Sequence, residues 1–68
     1  MRVTLNGTPR DLPDGATVAD AAALAGVEPG ERGVAVAVDG EVVARADWSG
    51  SPLRPAIRIE VVRATAGG

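Results

Sequence analysis

Ile57-Arg58-Ile59-Glu60-Val61-Val62-Arg63 is the clearest strand in the chain. Apolar residues at 57, 59 and 61 alternate with charges at 58 and 60. That is the period of a strand with one face in a core and the other in water. Val62 breaks the pattern by placing an apolar side chain on the charged face. Ala64-Thr65-Ala66-Gly67-Gly68 follows, with no side chain able to do chemistry. Glycine loses more backbone freedom on ordering than any other residue, so this end is expected to be a mobile arm. Five extended residues reach at most roughly 17 Å. The chain therefore divides into a folded domain, residues 1–63, and a flexible tail, residues 64–68. One reading of the tail is a frayed end in a chain with 9 glycines among 68 residues. The other is a carboxylate carried on an arm whose last two residues lack Cβ atoms and pass through channels closed to other residues.

Outward from that strand, the remaining elements are short. Arg2-Val3-Thr4-Leu5 alternates, Asn6-Gly7 supplies the two positive-φ positions of a type I′ turn, and residues 8–12 return. Pro9 has no N–H for a ladder and suits an edge. Thr17 stands at a helix N-cap with Asp20 three residues on, the spacing of a capping box. Val18 to Ala25 is rich in alanine, the best helix former, and Gly26 fits the left-handed position past its end. Val18, Ala21, Ala22, Leu24 and Ala25 form its broad apolar face. A helix of about two and a half turns is unstable alone and must lie on a sheet. Gly33 to Val38 has valine at every second position and alanine between, which suits an interior strand with large residues inward and small ones outward. Asp39-Gly40 is a second primed turn leading into Glu41-Val42-Val43. Ala46-Asp47-Trp48 reads as a turn of helix, and Trp48, the only aromatic residue, as a lid on the core.

The composition excludes several classes of function. Sixty-eight residues make a single domain that buries about 60% of its unfolded surface, too small for a deep cleft. Seven cationic side chains, all arginine, face nine acids, a balance unlike that of a phosphate-backbone binder. There is no Cys, no His and no Lys. Thiolate nucleophiles, the usual base near pH 7, the commonest metal ligands and Schiff-base chemistry are all missing. No membrane-length apolar run or signal-peptide pattern is present, so the expectation is a cytoplasmic non-enzyme with no resident cofactor or metal and no nucleic-acid or membrane partner.

The element order ββαβββ predicts an α+β fold, a mixed four- or five-stranded sheet with one main helix packed on one face. That is the β-grasp, or ubiquitin-like, architecture. The alternation places Val3, Leu5, Leu24, Val36, Val38, Ile59 and Val61 in the core. It leaves Val62, Ala35 and Ala37 on the outer face, where they form either a docking patch beside the tail or unremarkable exposed apolar groups.

The chain resembles the ThiS family, the ubiquitin-like sulfur carriers of thiamin biosynthesis. The likeness spans essentially the whole length. It is carried by Asn6-Gly7, by Asp14-Gly15-Ala16-Thr17-Val18-Ala19-Asp20, by the block Val36 to Trp48, and by Ile59-Glu60-Val61-Val62 running into Gly67-Gly68. The resemblance implies that the Gly68 carboxylate is adenylated by a ThiF-like enzyme using ATP-Mg²⁺. A persulfide sulfur donor then converts it to a thiocarboxylate, which serves a ThiG-like thiazole synthase. Thr65, Ala66 and Gly67 would thread with Gly68 into the partner's channel. Two positions depart from the family pattern. Ala56-Ile57 stands where a Gly-Asp pair is usual before the last strand, and Thr65 replaces an aliphatic residue. Other readings stay open: the same carrier chemistry serving molybdopterin, cysteine or natural-product synthesis; a ubiquitin-like modifier; or a small binding module, whose Leu-x-Asp-Gly and Thr-Val-x-Asp pattern is present from Leu12 to Asp20.

Overall fold

The structure is a computed structural model that describes residues 1–64. The Asn6-Gly7 turn, with φ of 49° and 80°, joins β1 (Arg2–Leu5) to β2 (Thr8–Asp11) as an antiparallel hairpin. Asp39-Gly40, with φ of 49° and 85°, joins β3 (Val34–Val38) to β4 (Glu41–Val43) in the same way. The two hairpins do not pair with each other. The last strand, β5 (Arg58–Arg63), runs between them, parallel to β1 and antiparallel to β3, giving the sheet order β2-β1-β5-β3-β4. As expected, β3 is interior and the last strand lies beside the first. The most central position belongs to β5, and Pro9 sits on an outer strand.

Both turn residues in the left-handed region do more than bend the chain. The Asn6 side-chain oxygen accepts the Val61 N–H at 2.8 Å, and an Asp39 carboxylate oxygen accepts the Arg58 N–H at 2.9 Å. Their own N–H groups donate to Ile59 and Arg58 carbonyls. Each turn thus extends its ladder onto β5 after its strand has ended. Asn and Asp tolerate positive φ and also supply that oxygen, which glycine lacks.

Helix α1 (Val18–Leu24) begins in the expected capping box. The Thr17 hydroxyl accepts from the Asp20 N–H, and the Asp20 carboxylate accepts from the Thr17 N–H at 2.8 Å. It ends in a Schellman motif, with Val27 N–H donating to Ala22 O and Gly26 N–H to Ala23 O, and Gly26 at φ 91°. Its buried residues are Val18, Ala21 and Ala22, whose small side chains let the helix lie close to the sheet. Leu24, assigned to the core above, is instead 37% exposed. At 100° per residue it lies about 110° from the centre of the face formed by residues 18, 21, 22 and 25, too far round to reach the sheet.

The core holds Val3, Leu5, Val36 and Ile59 as expected, with Val38 and Val61 partly buried against it. Trp48 is buried too. It sits on a 3₁₀ helix (Arg45–Gly50) and donates its indole N–H to the Val43 carbonyl at 2.9 Å. Leu12, Ala16, Val27 and Leu53 complete the cluster from segments without periodicity. Among the described residues no buried side-chain polar atom lacks a partner, and no helix is long and apolar enough to cross a membrane.

Ala56 adopts φ 66° in the turn before β5, a left-handed position that favours glycine. The turn therefore keeps its left-handed geometry with a Cβ in place. Its N–H donates to Arg2 O at 2.8 Å, and Ile57 beside it is buried. An L-residue with a Cβ pays about 1–2 kcal/mol in that region, partly offset by its smaller unfolded-state entropy. Ala56→Gly is therefore expected to stabilise the domain by about 0.5–1 kcal/mol in chemical denaturation. The reverse holds at the hairpin turns. Asn6→Gly and Asp39→Gly keep the turn but lose a hydrogen bond to β5, at an expected cost of about 1 kcal/mol each in the same measurement.

Candidate functional site

Register on the sheet decides what the outer face presents. Ala35 lies opposite Val62, Ala37 opposite Glu60, and Ala37 also opposite Val42. Residues directly opposite share a face. The structure therefore brings together the three residues singled out from sequence, Val62, Ala35 and Ala37, and adds Val42. Val62 and Val42 are 60% and 73% exposed, the two most exposed large apolar side chains among the described residues. Farther from the tail the same face turns polar, with Glu60, Arg58 and Thr4. Val62 and Ala35 thus lie toward the end of β5 where the chain leaves the sheet, with Ala37 and Val42 at the level of Glu60.

Val42 was readable in principle. A two-residue turn at Asp39-Gly40 fixes Val38 opposite Glu41, and so Ala37 opposite Val42. The three-residue run Glu41-Val42-Val43 is too short to show a period by itself.

The root of the tail is held at two points. The Ala64 N–H donates to the Gly33 carbonyl at 2.6 Å, continuing the β3–β5 pairing one rung beyond Val34 opposite Arg63. Arg63 is on the helix side of the sheet, in register with Val61 and Ile59, and its Nε donates to the Glu31 carboxylate at 2.7 Å. Glu31 is fixed in turn. Its other carboxylate oxygen accepts the Glu28 N–H at 2.9 Å, and its carbonyl accepts from the Arg45 guanidinium at 2.6 Å. Arg45 stacks on the Trp48 ring, 4.3 Å from its centroid. A chain of contacts therefore runs from the buried indole through Arg45 and Glu31 to Arg63. Nothing in the sequence signals the Glu31–Arg63 contact, because the two are 32 residues apart and lie on no common element. Thr65, Ala66, Gly67 and Gly68, the predicted site of modification and its channel residues, lie outside the described residues.

The helix side offers one further concavity, a groove of about 280 Å³ between α1 and the 3₁₀ helix, lined chiefly by Ala19, Ala22, Val27, Pro29 and Trp48. Glu28, Arg45 and Ser49 are the polar residues along it. Among the described residues no cluster of carboxylates is placed to hold a metal ion.

The sheet order and single helix define a ubiquitin-like β-grasp domain. Residues 3–68 match the model of the ThiS family, and the chain belongs to that family. Membership implies a small sulfur carrier in thiamine biosynthesis that works with partner enzymes of that pathway. The fold is also similar to the crystal structure of the thiamine biosynthesis protein ThiS from Geobacter metallireducens, with a TM-score of 0.78 and 23% identity over 100% of both chains. No curated protein sequence matches the chain.

Hydrogen bonding by Arg63, then the Glu28 N–H, and finally the charges of Arg63 and Arg45 hold the Glu31 carboxyl below the ordinary value of 4.5. A carboxyl lowered in the folded state stabilises the fold above its unfolded value, and the contribution fades as pH falls through the folded one. The Glu31–Arg63 contact is therefore complete above about pH 4.5 and lost on acidification below it. Carbon-detected NMR titration should find Glu31 with a midpoint below 4.5 in the native chain. In Arg63→Ala that midpoint should move upward. An unchanged midpoint would mean that the arginine does not hold this carboxylate.

Proposed function

We propose that this chain carries sulfur as a thiocarboxylate on Gly68 and delivers it to a thiazole synthase. The supporting observation is that the family match runs through Gly67-Gly68 while Val62 and Ala35 on the outer face lie beside the root of the same tail. A carboxylate is a poor electrophile. Attack of a Gly68 carboxylate oxygen on the α-phosphate of ATP, on a ThiF-like enzyme, forms an acyl adenylate and releases pyrophosphate. A persulfide sulfur then attacks the acyl carbon and displaces AMP, forming an acyl disulfide. A thiol reduces its S–S bond and leaves the thiocarboxylate. Because the chain has no thiol, imidazole or amine side chain, every step takes its reagents from partners, and the chain itself is a substrate rather than an enzyme.

Val62, Val42, Ala35 and Ala37 supply the docking surface, and residues 65–68 enter the partner's channel. An apolar patch next to a reactive end is the type of surface that marks a protein interface. Gly67 lacks the Cβ that a narrow channel excludes.

With a cognate adenylating enzyme, ATP-Mg²⁺, a persulfide donor and a thiol, intact mass spectrometry should show sulfur replacing one oxygen on Gly68. Deleting Gly68 should abolish the change without altering thermal stability. Appending one residue after Gly68 should block it, and modification of the extended chain at the native rate would overturn the assignment. Val62→Asp and Val42→Asp should each weaken docking about tenfold, equivalent to about 1.4 kcal/mol. As surface changes, both should leave folding stability within about 0.5 kcal/mol. Native affinity in both variants would remove the outer face from the interface.

A further inference from the structure

We propose that Glu31, acting through Arg63, fixes the point and direction from which the tail leaves the sheet, and so is a positioning residue for adenylation at Gly68. The inference rests on the proposed chemistry at Gly68. Its basis is the two-sided restraint at the last described residues. On one side of the sheet edge Ala64 is bonded to Gly33 O at 2.6 Å, and a Cβ built on Gly33 would lie 3.4 Å from the Ala64 Cβ. On the other side, the Arg63 guanidinium lies between Glu31 and the end of α1. It is 2.7 Å from the carboxylate, and its Nη2 would be 3.6 Å from a Cβ on Gly26.

The Gly26 backbone ends the helix, where carbonyl dipoles favour a cation. The helix carries no basic residue in its last turn, and Arg63 brings a positive charge to that end from β5. Glu31 is itself held by the Glu28 N–H and by Arg45, which is seated on the buried Trp48. The restraint therefore leads back to the core. Gly68 is the fourth residue beyond Ala64, so it can lie at most roughly 14 Å from this anchor. A swivelling root would widen the volume the carboxylate explores. A fixed root narrows it and raises the fraction of docked complexes in which the carboxylate faces ATP.

The docking face lies on the opposite side of the sheet, so loosening Arg63 should slow the reaction of bound chain rather than weaken binding. The test uses the full chain with Glu31→Ala, Arg63→Ala and the double variant. ATP–pyrophosphate exchange on the cognate adenylating enzyme is measured alongside hydrogen exchange of the Ala64 amide without enzyme. Each single variant is expected to lower kcat roughly three- to tenfold, with KM for the chain within about twofold. The double variant should match the singles, because Glu31 works only through Arg63. Ala64 exchange should quicken in all three.

Additive losses in the double variant, a loss expressed in KM alone, or a native kcat in Glu31→Ala would overturn the proposal. So would unchanged Ala64 exchange, whatever the enzyme reports. If the native chain supports no pyrophosphate exchange, the sulfur-carrier chemistry fails first and the positioning role falls with it. The amide measurement still shows whether the restraint exists.

Discussion

Strand β5 has a partner on each side, and everything else in the molecule is arranged to give it those partners. The two hairpins are local structures that a short stretch of sequence can specify, but a lone hairpin is marginally stable in water. Inserting β5 between them joins four strands into one sheet and closes the core, through Ile59 opposite both Leu5 and Val38. The Asp39 side chain lengthens this insertion at the start of β5, and the Asn6 side chain and the Ala64–Gly33 bond lengthen it toward the end. The strand that leads to the tail is thus the one most completely bound by the fold.

That arrangement separates two tasks by side of the sheet. The helix side holds the apolar core, the indole and the restraint on Arg63. The outer side keeps small and apolar residues near the tail and charged ones farther away. Alanine at 35 and 37 leaves the valines at 62 and 42 standing above their neighbours.

The amount legible in the sequence followed the range of the interactions. Turns and caps are set by neighbours within four residues, and Asn6-Gly7, Asp39-Gly40, the Thr17–Asp20 box and Gly26 all have the expected conformations. Strand faces follow from a period of two, which placed Val62, Ala35 and Ala37 together. Leu24 was misplaced because a seven-residue helix made largely of alanine gives almost no amphipathic signal, and leucine's hydrophobicity outweighed its angle. Leu12, Val27 and Leu53 were not anticipated as core because connecting segments have no period. The Glu31–Arg63 contact depends on where two distant backbone segments meet, which no local pattern encodes. Ala56 shows the reverse case: a residue poorly suited to its φ holds the turn because the surrounding pairing requires it.

The central position of β5 also determines how the molecule bears a mechanical load. Hydrogen bonds to the antiparallel β3 cross the strand axis nearly at right angles, and those to the parallel β1 cross it at a slant. A pull at Ala64 along the strand therefore acts on both ladders in shear, and many bonds must yield together for the strand to slide. A strand at the edge, peeled sideways, would give way one bond at a time. Tension applied at Ala64 is therefore borne by the whole sheet and does not unravel the domain from that end.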